Sequence, residues 1–223
     1  MPYYPLLIAF FMAALNWIAV EKKWKALEYV AKPGTMLILI WWIWSSNGLG
    51  GSMIWFTLGV IFCLAGDVLL MVPRDLFILG LLAFLLGHIF FILGFNDQAP
   101  YIHWWGAVIV ILLGIYVRWL YPKLLVGLKE NGKSKLSIPV LIYAVVISLM
   151  VYSALMTWTR PGWLPLEALF ASLGAILFYA SDSILAWDRF IRPLSHARLK
   201  TMVTYHLGQF GIILAAIVHL AQK

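Results

Sequence analysis

Two acidic residues carry the chemistry that this sequence has to explain. Asp67 and Asp182 each lie inside a long apolar run, behind a small residue and ahead of aliphatic ones: Gly66-Asp67-Val68-Leu69-Leu70 and Ser181-Asp182-Ser183-Ile184-Leu185. A carboxylate so placed has little water to solvate it and must be neutral, paired or set in a polar cavity. Two of them in segments of similar wording predict one shared site. Three chemistries suit such a pair: acid–base catalysis, ligation of a metal, and relay of protons through a membrane. The polar residues available to join them are Asn16, Lys32, His88, Tyr179, Tyr205 and His206.

The surrounding chain says what must position them. Of 223 residues, 64% are hydrophobic and 11% are charged, against about 25% charged in an average soluble domain. Apolar runs recur along the whole length and leave no room for a separate soluble domain. A membrane β-barrel is excluded, since its strands would read as segments of about 10 residues with alternating polarity. The expected fold is an all-α integral membrane protein: one polytopic domain, residues 1–223, built as a bundle of eight transmembrane helices.

The predicted spans are 4–20, 33–46, 53–72, 76–95, 104–120, 138–158, 164–187 and 199–221. Most approach the roughly 20 residues that cross the hydrocarbon core. The second is short and leans on Trp41, Trp42 and Trp44 at the interface. With both termini outside, the inner loops hold Lys22, Lys23, Lys25 and Lys32, then Arg74, then Arg118, Lys123, Lys129, Lys133 and Lys135, then Arg189, Arg192, Arg198 and Lys200. Only Arg160 and Lys223 stay outside, as the positive-inside rule asks. The net charge of +7 therefore reads as topology and attraction to anionic lipid headgroups, not as a nucleic-acid surface. Cys63 is the one cysteine, so no internal disulfide forms; it reads as a small buried core residue. No basic segment precedes the first apolar run, so no cleaved signal peptide is expected.

Outer turns are expected at residues 46–51 and 96–100. Residues 122–137 read as a solvated cytoplasmic linker. It divides the chain into halves that repeat weakly: Gly66-Asp67 then Gly87-His88 in one, Ser181-Asp182 then Tyr205-His206 in the other. Both halves start from the outside, so the repeat would make two parallel four-helix halves.

Depth groups the polar residues. Asp67 lies about five residues from the inner end of its span, roughly 8 Å below the boundary at 1.5 Å per residue, and Asp182 lies at a similar depth. His206 and Asn16 fall in the same layer, and His88 falls nearer the midplane. Separate interhelical hydrogen bonds would also explain these residues, Asn16 above all. Lys32-Pro33-Gly34-Thr35 is expected to open the second helix at the inner face, with proline at the first position. The free amides and Lys32 there would suit a phosphate, or Lys32 is an ordinary inner-loop lysine. Glu21, Asp75 and Asp188 border inner loops and read as solvated, and Glu167 lies near the outer end of the seventh span.

The Lys32-Pro33 pair, Gly66-Asp67-x-Leu-Leu, Gly87-His88 and Ser181-Asp182-Ser-x-Leu-Ala, in this order over essentially the whole chain, resemble the YhhN family of membrane proteins, which includes lysoplasmalogenases. The resemblance implies hydrolysis of the vinyl ether bond of lysoplasmalogens to a fatty aldehyde and glycerophosphocholine or glycerophosphoethanolamine. It makes Asp67 and Asp182 the catalytic pair, and an acid–base dyad of these two would need no cofactor and no metal. Vinyl ether cleavage begins with protonation of the β-carbon, so one carboxyl must carry a proton while the other is ionised. Two close carboxyls in a dry site would share a proton. The substrate would be a lysophospholipid taken from the inner leaflet of a plasma or inner membrane, with its headgroup near Lys32. Tyr179, three residues before Asp182, would orient that carboxylate. Tyr205 would contact a choline group.

Two other readings compete. Asp67, Asp182, His88 and His206 are suitable zinc ligands, although no closely spaced pair such as His-x-x-x-His occurs. The aspartates would also serve a proton-coupled transporter. Nothing in the sequence fixes an oligomeric state.

Overall fold

The computed structural model describes residues 3–47, 50–74, 76–97 and 103–220. Eight long α-helices follow one another: α1 (Tyr4–Lys22), α2 (Lys25–Asn47), α3 (Met53–Met71), α4 (Phe77–Phe95), α5 (Trp104–Glu130), α6 (Ser137–Leu155), α7 (Pro165–Phe190) and α8 (Ala197–Leu220). No strand occurs among the described residues. Seven of the helices are long and apolar enough to cross a membrane. The exception is α2, whose first turns carry Lys25, Glu28 and Lys32. Leu7, Phe11, Trp44, Trp104, Ile111 and Ile115 point outward, as side chains facing lipid should.

Two connections differ from the sequence reading. The second helix starts at Lys25, eight residues before Pro33, and Pro33 lies inside it. Its buried stripe explains why: Glu28, Ala31, Lys32, Thr35, Met36 and Leu39 all turn inward at helical spacing. Pro33 therefore opens no helix, and no free amides stand beside Lys32 to seat a phosphate. The loop between the first two helices shrinks to Lys23 and Trp24, with Lys23 left-handed at φ 59°. Likewise most of the expected linker at 122–137 is helix. α5 continues through Pro122 to Glu130 because Leu124 and Leu128 are buried, and Gly127 sits so close to the Phe190 backbone that a Cβ there would collide with it. Gly48, Leu49, Asp75, residues 98–100, Ala221 and Lys223 lie outside the described residues.

The tightest helix pairs are α7 with α8, α3 with α4, and α1 with α2. Gly174 of α7 meets Gly208 and Gly211 of α8 where any Cβ would strike main chain, the close approach that small residues permit between membrane helices. Aromatic side chains, among them Phe56, Phe91, Phe95 and Phe178, fill the core between the hairpins. This packing brings one end of α2, α3, α7 and α8 together around the two aspartates.

Candidate functional site

Asp67, on α3, is 1% exposed. Lys32 of α2 places its Nζ 3.0 Å from Oδ1, and Tyr205 of α8 donates its hydroxyl to Oδ2 at 2.7 Å. A buried ammonium and a buried carboxylate each cost several kcal/mol to desolvate, on the order of what their mutual attraction returns, so each explains the other. Asp182, on α7, is held differently. Tyr143 of α6 donates its hydroxyl to Oδ2, and His88 of α4 brings Nε2 within 3.3 Å of the same oxygen and 3.0 Å of the Tyr143 hydroxyl. With Nε2 carrying the proton, the imidazole donates to this pair of oxygens. The Asp182 side chain is 16% exposed, and its partners leave Oδ1 open.

Both aspartates line one polar cavity of about 390 Å³. Lys25, Glu28, Asp188 and Arg198 stand around it with Lys32 and Tyr205, and Arg198 is paired with Glu28. A second, apolar cleft of about 80 Å³ runs between α4, α5, α6 and α7. Cavity and cleft share Leu70, Phe84, Asp182 and Leu185. Asp182 thus stands where a charged chamber meets a greasy one. The two aspartates are not hydrogen-bonded to each other, so a proton passing between them crosses the cavity.

Residues 27–216 match the YhhN family. The chain belongs to that family. It is similar to lysoplasmalogenase TMEM86B of Mus musculus, 30% identical over 217 residues that make up 96% of this chain and 85% of that protein. It is also similar to the lysoplasmalogenase of Mycobacterium tuberculosis (strain CDC 1551 / Oshkosh), 30% identical over 77% of this chain and 62% of that protein. Lysoplasmalogenase TMEM86A of Bos taurus is 28% identical over 81% and 75% of the two chains. No solved structure matches. The matched segment contains both aspartates and all four of their partners.

In this YhhN member several residues singled out from the sequence lie elsewhere. His206 follows Tyr205 on α8, so the helix turns it away from the cavity, and its Nδ1 accepts from Trp17 Nε1 at 3.0 Å. Asn16 is fully buried with both amide atoms unpartnered; α1 packs chiefly on α2 and α8, on the far side from Asp182. The four residues weighed as zinc ligands therefore do not converge. Among the described residues no group of three His, Cys, Asp or Glu side chains is set to hold a metal. Tyr179 lines the apolar cleft with Asp182 but makes no hydrogen bond to it. Helical side chains lean toward the N-terminus, which carries its ring away from Asp182 to meet Ser148 Oγ at 2.9 Å.

Lys32 is no loop lysine: it lies inside α2, lines the polar cavity and is the counter-ion of Asp67. Tyr143 escaped the sequence reading altogether. Its one signal is a phenol inside an apolar span, Ile142-Tyr143-Ala144, which once buried needs a hydrogen-bond partner.

Proposed function

We propose that this chain is a lysoplasmalogenase: it hydrolyses the vinyl ether bond of lysoplasmenylcholine or lysoplasmenylethanolamine, releasing a fatty aldehyde and glycerophosphocholine or glycerophosphoethanolamine. One observation carries this reading. A charged cavity holding both aspartates meets an apolar cleft at Asp182, the shape required by a single-chain lipid whose labile bond joins head to tail. The names of the relatives agree with it.

The reaction starts at that junction. Asp182, as the acid, gives its proton to the β-carbon of the –O–CH=CH– group, and the ether oxygen stabilises the resulting oxocarbenium ion. Asp67 balances the new positive charge and takes a proton from the water whose oxygen attacks the carbon beside the ether oxygen. The hemiacetal then collapses. Asp67 returns its proton to the departing glycerol oxygen, while the hemiacetal hydroxyl gives its proton back to Asp182. One water is consumed and both carboxyls end as they began. Tyr143 and His88 hold one oxygen of Asp182 and leave the other to act. Lys32 and Tyr205 fix Asp67.

In the same reading the chain is one membrane domain of eight spans, α2 included, with both termini outside in a plasma or inner membrane. The site then lies in the cytoplasmic half. The basic residues Lys25, Arg189, Arg192 and Arg198 gathered at its end of the bundle support that orientation. Two parallel halves are supported by the way α2–α3–α4 and α6–α7–α8 each bring one aspartate with a partner from its preceding helix.

The test is aldehyde release from a lysoplasmenyl lipid by the purified protein, beside Asp67→Asn and Asp182→Asn, with and without a chelator. Release by the wild type, abolished in both variants and indifferent to chelation, is expected. A well-folded wild type that releases no aldehyde from any vinyl ether lipid would overturn the assignment.

A further inference from the structure

Helix α5 is fully buried against the bundle only near its ends; between them Leu113 and Tyr116 pack partly inward, Tyr116 with its ring centroid 5.3 Å from that of Tyr179. Gly106 lies against the Tyr152 hydroxyl, and Gly127 lies against the Phe190 backbone. Between Gly106 and Leu120 no residue of α5 is buried. A Cβ added at Gly114 would meet nothing within 4 Å. The middle of the helix thus stands off from α6, and the gap is a groove of about 480 Å³ lined by Leu113, Gly114, Val145 and Leu149 among others. Val117 and Tyr121 line both this groove and the apolar cleft, and the cleft in turn shares Asp182 with the polar cavity. Charged chamber, apolar cleft and lipid-facing groove therefore adjoin one another in series, with Asp182 at the first shared wall and Val117 and Tyr121 at the second.

We infer that the groove between α5 and α6 is the hydrocarbon-chain subsite of the enzyme and its side entrance from the bilayer, and that Gly114 sets the chain length admitted. The inference rests on the proposed function for the identity of the headgroup end, since the occupant of the groove is the alkenyl chain of the lysolipid being cut. A single-chain lipid with its head among Lys25, Glu28 and Arg198 and its vinyl ether at Asp182 directs the rest of its chain into the cleft. The groove continues that path for about 16 Å along α5 from Tyr121 to Val110, at 1.5 Å per residue. The chain moves from lipid to groove without ever meeting water, so the groove gains little from the hydrophobic effect. Its work is to select by shape, as apolar pockets do. Glycine at 114 is what a passing chain needs, because any larger side chain would enter its path.

Gly114→Phe should place a ring in the groove without straining the helix. With long-chain lysoplasmenylcholine, kcat/KM should fall about tenfold or more, within the range that a misfit in an apolar pocket costs. With a four-carbon alkenyl analogue, whose chain ends inside the cleft, the loss should be absent. Ile115→Phe, on the exposed neighbouring face, serves as a control for folding and for a bulky ring on α5. Gly114→Cys supplies a readout independent of turnover. A maleimide should label it, and a saturated ether lysophospholipid should protect it about tenfold, while the buried Cys63 stays silent. Equal loss for short and long chains, or labelling indifferent to the saturated lipid, would overturn the inference. So would a change of self-association in Gly114→Phe with chain preference intact, which would make the groove an interface between copies. If the wild type cuts no vinyl ether, the functional assignment fails, yet protection at position 114 still decides whether a lipid chain lies there.

Discussion

Removing Lys32 should hurt this protein more than removing Lys32 and Asp67 together. The pair is 3.0 Å apart, with side chains 6% and 1% exposed, so Lys32→Met leaves a buried carboxylate without the cation that balances it. Breaking one partner out of a buried pair costs about 3–5 kcal/mol. At about 2–4 °C per kcal/mol for a chain of this size, the melting midpoint should fall by roughly 6–20 °C. Replacing both charges, as Lys32→Met with Asp67→Asn, removes the stranded ion along with its counter-ion. That double variant should return to within about 1 kcal/mol of the wild type, since isosteric removal of a buried pair is often neutral. Activity separates from stability here. The double variant should be stable and inactive, because the carboxylate that accepts the proton from water is gone. The assay is a thermal melt of the purified protein in one detergent for wild type, both single variants and the double, analysed as a double-mutant cycle. Additive effects, or a Lys32→Met protein as stable as the wild type, would refute the ion pair as the reason for Lys32 being buried.

Two other substitutions distinguish the roles around the cavity. Tyr143→Phe keeps the ring and removes one hydrogen bond to Asp182, worth about 1.5–3 kcal/mol once proton transfer leaves that carboxyl charged; kcat should fall by about 10- to 150-fold, with the melting curve little changed, and a wild-type kcat would deny Tyr143 its positioning role. His206→Phe should do the reverse. It strips Trp17 Nε1 of one partner while the Met202 carbonyl at 3.2 Å remains, so stability should drop by about 1 kcal/mol while aldehyde release persists; loss of activity in a folded His206→Phe protein would bring His206 back into the site.

Much of the site was legible because burying a polar group is costly enough to stand out in an apolar sequence. Asp67, Asp182 and His88 interrupt runs of aliphatic and aromatic residues, and the structure gathers all three with Tyr205 and Lys32. What the sequence could not supply was pairing. Lys32 reads as one more basic residue at an inner boundary, since nothing local reveals that its helix begins seven residues earlier and turns it toward Asp67. Tyr143 is invisible for a related reason: tyrosine is common in membrane helices, and only the approach of α6 to α7 makes this one a ligand of Asp182. Tyr179 shares a helix face with Asp182, yet its ring leans the other way, toward Ser148, and spacing alone does not reveal that lean. The fold was legible from hydropathy, but hydropathy is blind to amphipathic extensions. The first turns of α2 and the last turns of α5 are such extensions, helical although their polarity reads as loop.

The pairing also makes the two carboxyls unequal. Asp67 on α3 is held by the preceding helix α2 and by α8 of the other hairpin. Asp182 on α7 is held by its preceding helix α6 and by α4 of the other hairpin. Each aspartate thus depends on the opposite hairpin, and neither half of the chain contains a finished site. What differs is the chemistry of the partners. Asp67 has an ammonium and a phenol, and Asp182 has a phenol and an imidazole, so one carboxyl faces a full positive charge and the other faces dipoles. Acid–base catalysis needs that inequality, since two carboxyls in identical surroundings would compete for one proton instead of dividing the work. Exchanging the partners should therefore be worse than deleting either one, because it would reverse the inequality rather than erase it.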